Sequence, residues 1–219
     1  MFLHGYMANK ECFLRQIRYF SAFCRVTALD FAGFGGSDAP KTAFSVADYA
    51  DWTRAVLDLV GVREPVLVGH SFGARVAIEM AAAGAAKALF LVGAAGIVPK
   101  RTLSYHLRVR AYRLCKKIAP RYAKRHFGSE EYRKLSPLMQ ESYKKIVNTD
   151  LRDTARRIRC PVKLVYGAED KETPARYGKL YREAMPHAEL CVWEGCGHFL
   201  FLEQPLRFEL ALEQFLSQV

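Results

Sequence analysis

A serine between two glycines, Gly69-His70-Ser71-Phe72-Gly73, follows the apolar run Val66-Leu67-Val68 and precedes a helix-forming stretch from Ala74 to Ala83. Strand, Gly-flanked serine and helix in that order describe a sharp turn that lifts a hydroxyl clear of a sheet, where it can attack a carbonyl. A serine hydroxyl is a weak nucleophile at neutral pH, so this chemistry needs a general base and a group that orients the base. Gly195-Cys196-Gly197-His198-Phe199 supplies His198 just after an apolar run, and Gly167-Ala168-Glu169-Asp170 supplies Asp170 just after another. An acid there can hold the imidazole in one tautomer and stabilise the imidazolium that forms during attack. Glu169 is a nearby rival for that role and Asp30 a more distant one. Acyl transfer also needs two backbone N–H donors aimed at the developing oxyanion. Phe72, the residue after the serine, provides one candidate, and Tyr6, in the turn His4-Gly5-Tyr6, provides the other. The remaining histidines have weaker claims: His4 and His70 sit in the turn motifs, His106 and His126 in a basic stretch, and His187 on the approach to the last strand.

These residues require a scaffold that delivers them to one place. Val66–Val68, Ala88–Val92 and Val162–Tyr166 are short apolar runs ending in turn residues, as strands buried on both faces are. Cys24–Leu29 and Glu189–Trp193 read as two more strands, and Met1–Leu3 as the stub of another. Between Ser45 and Val60 the apolar residues Val46, Tyr49, Val56, Leu57 and Val60 share one helical face, with Ser45 as cap and Gly61 as terminator. Phe208, Leu212, Phe215 and Leu216 make a second stripe in a helix starting near Pro205. Alternating strands and helices predict an α/β chain with a mostly parallel sheet flanked by helices, whose sites form at the carboxyl ends of the strands. The pattern breaks from residue 99 to 159, where short helices separated at Pro120, Gly128 and Pro137 are expected. The chain thus reads as a core of 1–98 and 160–219 carrying a helical insert.

The net charge of +11 would suit a nucleic-acid or membrane partner if it were spread over the surface. It is concentrated instead. The stretch Lys100–Arg159 holds 18 Lys and Arg against 5 Asp and Glu, and the rest of the chain is slightly acidic. Amphipathic helices there would turn these charges to solvent, whereas charges facing a pocket would select anionic acyl groups. No nucleic-acid-binding module accompanies them. The six cysteines lack C-x-x-C or Cys/His ligand spacing, so no metal or other cofactor is expected, and Cys196 reads as a small buried hydrophobe. No apolar run reaches the roughly 20 residues of a membrane span and the first residues do not resemble a signal peptide, which predicts a cytoplasmic chain acting on a small-molecule substrate.

In the order His4-Gly5, Asp30-Phe31-Ala32-Gly33-Phe34-Gly35-Gly36-Ser37, Gly69 to Gly73, Gly167 to Asp170 and Gly197-His198, the chain resembles the α/β-hydrolase superfamily over nearly its whole length, in particular its small bacterial serine hydrolases with a helical cap. The resemblance implies the chain order Ser, Asp, His for a triad of Ser71, Asp170 and His198. It also implies a structural role near the pocket for Asp30–Ser37, and a cap over the site at 99–159. Members usually carry further strands before the His-Gly turn, so the sheet is expected to be shortened there. Ester or related acyl hydrolysis is the implied activity. The same triad serves carbon–carbon bond hydrolysis of diketone-like substrates elsewhere in the superfamily, and a non-catalytic binding protein on this fold is the third reading.

Overall fold

The computed structural model describes residues 1–99, Leu107, Arg110 and residues 130–219. Among the described residues six strands, β1 (Phe2–Leu3), β2 (Ala28–Leu29), β3 (Val66–His70), β4 (Ala88–Val92), β5 (Val162–Gly167) and β6 (Glu189–Trp193), form one sheet in the order β2-β1-β3-β4-β5-β6, with every pairing parallel. Parallel neighbours need crossovers, and helices supply them. In chain order they are α1 (Leu14–Phe20), α2 (Val46–Leu59), α3 (Phe72–Ala82), α4 (Glu130–Lys134), α5 (Pro137–Asn148), α6 (Arg152–Ala155), α7 (Arg176–Ala184), α8 (Leu200–Glu203) and α9 (Pro205–Leu216), with a 3-10 turn at Lys10–Phe13 before α1. No described helix is long and apolar enough to cross a membrane.

Alternation along the central strands builds two cores. Leu89 and Leu91 of β4 face a layer containing Tyr49, Ile78 and Tyr181, while Ala88, Phe90 and Val92 face Phe13, Phe208 and Phe215. Each layer removes apolar surface from water at about 25 cal/mol per Å2, the main force holding helices to the sheet. The helix ends follow the sequence signals. Ser45 and Asp48 close a reciprocal capping box on α2, Gly61 ends it at φ +63°, and Pro205 occupies the first turn of α9.

Two sequence expectations change. Cys24–Leu29 is not one long strand: only Ala28 and Leu29 pair, because their sole partner, β1, has only two residues to offer. The helix after the serine turn, α3, begins at Phe72 rather than Ala74, directly on that turn. Between β4 and β5 the described part of the insert is helical, and α5 and α6 contribute Met139, Ile146 and Ala155 to the same layer as α3. Every described Lys and Arg between residues 100 and 159 is exposed. The expected breaks at Pro120 and Gly128, together with His106 and His126, lie outside the described residues.

Candidate active site

The turn between β3 and α3 is tight because two glycines allow close approach, and strained because the serine between them is not a glycine. A Cβ at Gly69 would sit 2.8 Å from the Ala74 backbone, and one at Gly73 would sit 2.1 Å from the Leu3 carbonyl oxygen. Neither glycine needs a left-handed conformation. Ser71 itself takes φ +51° and ψ −106°, a region that costs a non-glycine residue roughly 1–3 kcal/mol. The Ser71 amide donates to the Val92 carbonyl at 3.0 Å, which ties the turn to β4. Phe72 opens α3, so its N–H belongs to the first turn, where helix amides have no intrahelical acceptor.

Asp170 and His198 are brought together by two loops fastened backbone to backbone. A Cβ at Gly167 would strike the carbonyl oxygens of Cys196 and Gly197 at 2.3 Å, so only glycine lets the loops touch. Ala168 N–H donates to Trp193 and Glu169 N–H to Cys196, each at 2.9 Å. On this base the Asp170 carboxylate lies 2.8 Å from His198 Nδ1, with both side chains almost wholly buried. Its other oxygen accepts the Glu172 and Thr173 amides at 2.8 Å, and the Thr173 hydroxyl lies 2.7 Å from Oδ2. Burial pushes the Asp170 carboxyl up, but the bonds from His198 and Thr173 outweigh it and leave the group below its ordinary range. The His198 loop is held from its far side by Glu203, which accepts the Gly197 and Phe199 amides. Cys196 is fully buried among apolar neighbours.

The residue before Ser71 touches this pair. The His70 ring lies 4.6 Å from the His198 ring, centroid to centroid, and His70 Nε2–H donates to the His198 carbonyl at 3.0 Å. His70 is fully buried, and desolvation, helped by the nearby His198, holds its pKa down at about 3, so it is neutral. The turn after β1 closes the site from the other side. A Cβ at Gly5 would stand 3.7 Å from Ser71 Cβ, and the Tyr6 ring lies edge-on to Phe72 at 5.4 Å. Tyr6 also donates its hydroxyl to the Met139 carbonyl of α5. Arg75, one turn beyond Ser71, donates to the carbonyls of Ile146 and Thr149 at the other end of α5. The insert is thereby anchored to both the β1 turn and α3.

The rival acids are placed elsewhere. Glu169 is exposed, and Asp30 is engaged by the Lys10 ammonium and by the amides of Lys10 and Gly36. Sequence reasoning missed three residues. Thr173 contacts Asp170, His198 and the Gly93 carbonyl, and its spacing of three from an aspartate in a loop is the available signal. His70 was noted only as part of the turn. Glu172, exposed at the mouth, brings a carboxylate oxygen to 3.5 Å from His198 Nε2. Among the described residues no group of three or more His, Cys, Asp or Glu is arranged to hold a metal ion.

A sequence profile for the alpha/beta hydrolase family matches residues 1–211. The AB hydrolase superfamily protein YisY of Bacillus subtilis (strain 168) is 24% identical, over 98% of this chain and 90% of its own length. The 2-hydroxymuconate semialdehyde hydrolase of Pseudomonas putida is 26% identical, over 89% of this chain and 77% of its own. Among solved structures, the esterase EaEST from Exiguobacterium antarcticum shares the fold with a TM-score of 0.77 at 22% identity, covering 99% of this chain and 90% of that one.

Proposed function

The chain belongs to the alpha/beta hydrolase family, and from that premise we propose that it is a serine hydrolase acting on a small-molecule ester or related acyl substrate through Ser71, His198 and Asp170. His198 takes the Ser71 proton as the hydroxyl attacks the carbonyl, and Asp170 holds the imidazole with Nδ1 protonated and Nε2 toward the serine. The Phe72 and Tyr6 amides receive the oxyanion. Collapse of the tetrahedral intermediate expels the alcohol, which takes the proton from His198. Water, activated by the same imidazole, then releases the acid and restores the serine. Every group in this scheme belongs to the chain, and no cofactor is called for.

The observation that carries the reading is the strained Ser71 at φ +51°, on the same rim as an Asp170–His198 bond of 2.8 Å. Strain at a polar residue in dihedrals that a glycine would adopt freely is hard to explain by stability alone. A fluorophosphonate probe should label wild type and not Ser71→Ala. A folded wild type that stays unlabelled would favour a binding protein on the same fold. The insert, anchored to Tyr6 and Arg75, fits a cap over the site. The alternative is carbon–carbon bond hydrolysis of a diketone-like substrate by the same residues, and turnover of a vinylogous diketone acid beside aryl esters separates the two.

A further inference from the structure

His198 meets two carboxylates, and the hydrolytic scheme uses only one of them. Asp170 holds Nδ1 at 2.8 Å from within the protein, while Glu172 brings an oxygen to 3.5 Å from Nε2 with its side chain exposed to solvent. The main chain of Glu172 is fixed by the first carboxylate, since its N–H donates to Asp170 Oδ1 at 2.8 Å, beside that of Thr173. The turn that seats the acid behind the ring therefore also sets Glu172 before it. Among the described residues no lysine or arginine pairs with the Glu172 carboxylate, and Arg176, the next arginine along the chain, lies over the Tyr177 ring instead.

Nε2 is the nitrogen that takes the Ser71 proton and hands it to the departing oxygen. A group that meets Nε2 from the mouth thus stands beside the leaving group. A carboxylate there opposes a lone pair while the imidazole is neutral, and it attracts a positive charge brought next to the ring. Phe199 borders the same imidazole: its ring is 41% exposed and stands at 82° to the His198 ring, with centroids 5.2 Å apart. The Phe199 amide donates to Glu203, which holds that side of the mouth in place. An anion and an accessible aromatic ring around one point are the two groups that recognise an alkylammonium ion.

We propose that Glu172, with Phe199, makes the site select substrates whose leaving group carries a positive charge, an alkylammonium alcohol or thiol. The inference rests on the reading of His198 as the residue that protonates the leaving group. An exposed carboxylate without this role would add only to the net charge of its loop.

Three butyryl thioesters with one acyl group separate these roles: those of thiocholine, of its uncharged tert-butyl isostere and of mercaptopropionate. In low salt, kcat/KM for the thiocholine ester should exceed that for the neutral isostere by at least about fivefold, and the anionic ester should fall below both. Sodium chloride at about 0.5 M should erase most of the difference, because the carboxylate is exposed. Glu172→Gln should bring the ratio of cationic to neutral ester to within about twofold of unity. The ratio cancels any change the variant makes to His198, since both esters depend on the same base. Glu169→Gln removes an equal charge from the same loop, also exposed, and should keep the wild-type ratio. No preference in wild type, a preference for the anionic ester, a preference that survives Glu172→Gln, or one lost equally in Glu169→Gln would overturn the proposal. If Ser71 takes the fluorophosphonate label while none of the three esters turns over, hexyltrimethylammonium reads the same contact. It should slow labelling of wild type and not of Glu172→Gln, and failure to slow wild type overturns the proposal. A wild type that is neither labelled nor active sinks the hydrolase reading itself, and the proposal with it.

Discussion

Asp30 and Asp170 invite comparison because they are nearly the same residue in nearly the same place. Each follows a parallel strand, β2 or β5, each is almost fully buried, and each accepts two backbone amides from its own rim. Both carboxyls lie below the ordinary range. For Asp30, burial pushes upward, but the Lys10 ammonium and the amides of Lys10 and Gly36 outweigh it and hold the group at about 2. The difference lies in the nitrogen that each carboxylate meets. Asp30 faces a half-exposed lysine that stays charged, whereas Asp170 faces an imidazole that can gain and lose a proton during a reaction. Burial and a lowered carboxyl pKa accompany a short bond to a side-chain nitrogen in both loops. Only the partner's chemistry separates a structural clamp from a candidate for catalysis.

Replacing each acid by its amide should exchange activity for stability between the two loops. Asp170→Asn should lower kcat by about 10³- to 10⁴-fold, the scale expected when the base loses its tautomer, while the protein stays folded. Asp30→Asn should leave kcat of the folded protein within about threefold and reduce the unfolding free energy by roughly 2 kcal/mol, since a buried acceptor of three bonds loses its charge while Lys10 keeps access to water. Ester turnover beside denaturant titrations reads both. A stability loss at Asp170 with activity lost at Asp30 would reverse the assignment.

Acid should weaken the fold in two overlapping stages, the buried His70 imidazole first and the lowered carboxyls second. His70 titrates at about 3 in the folded protein against an ordinary 6.5, so the unfolded chain binds the extra proton between these values. Its contribution is complete above pH 6.5 and is lost as pH falls, at up to about 1.4 kcal/mol per pH unit. Asp30, at about 2 against 3.8, also contributes stability that is whole above its unfolded value and disappears as pH falls from about 4 toward 2, worth roughly 2 kcal/mol. Stability measured from pH 7 to 3 should therefore slope downward. His70→Phe should flatten the slope from pH 6.5 down to about 3, and Asp30→Asn should flatten only the part below pH 4. An unchanged upper slope in His70→Phe would show that the buried imidazole is not its source.

How much of this was legible in the sequence depends on the range of the interaction involved. The core strands β3 to β6 are written in local apolar runs, and the caps of α2 and α9 in Ser45, Gly61 and Pro205, so periodicity and turn chemistry found them. The length of β2 could not be read, because a strand extends only as far as its partner, and its partner is a two-residue strand distant in sequence. Asp170 and Asp30 were rivals on paper for the same reason: each follows a strand, and what distinguishes them is which remote side chain arrives. The glycines of the serine turn were legible, but for a different cause than their flexibility. Gly69 and Gly73 make room for other backbone, and the unusual dihedral belongs to Ser71. Thr173 stayed hidden because its partners, Gly93 and His198, come from separate loops.

Thr173 also offers the finest division within the Asp170 loop. Its hydroxyl lies 2.7 Å from Asp170 Oδ2, 2.9 Å from the Gly93 carbonyl and 3.2 Å from His198 Nδ1, yet it has one proton to give. Given to Gly93, the proton leaves the hydroxyl oxygen as a second acceptor for His198 Nδ1–H; given to Asp170, it steadies the carboxylate directly. In both arrangements the hydroxyl restrains the imidazole, a function that Asp30, paired with an ammonium, has no need of. Thr173→Val keeps the shape and removes these bonds, so kcat should fall by about tenfold, roughly one neutral hydrogen bond, with KM little changed. Thr173→Ser should restore most of the loss. A Val variant with wild-type kcat and a lowered Tm would assign the hydroxyl to the fold alone, and the two aspartate loops would then differ only in the side-chain nitrogen each one holds.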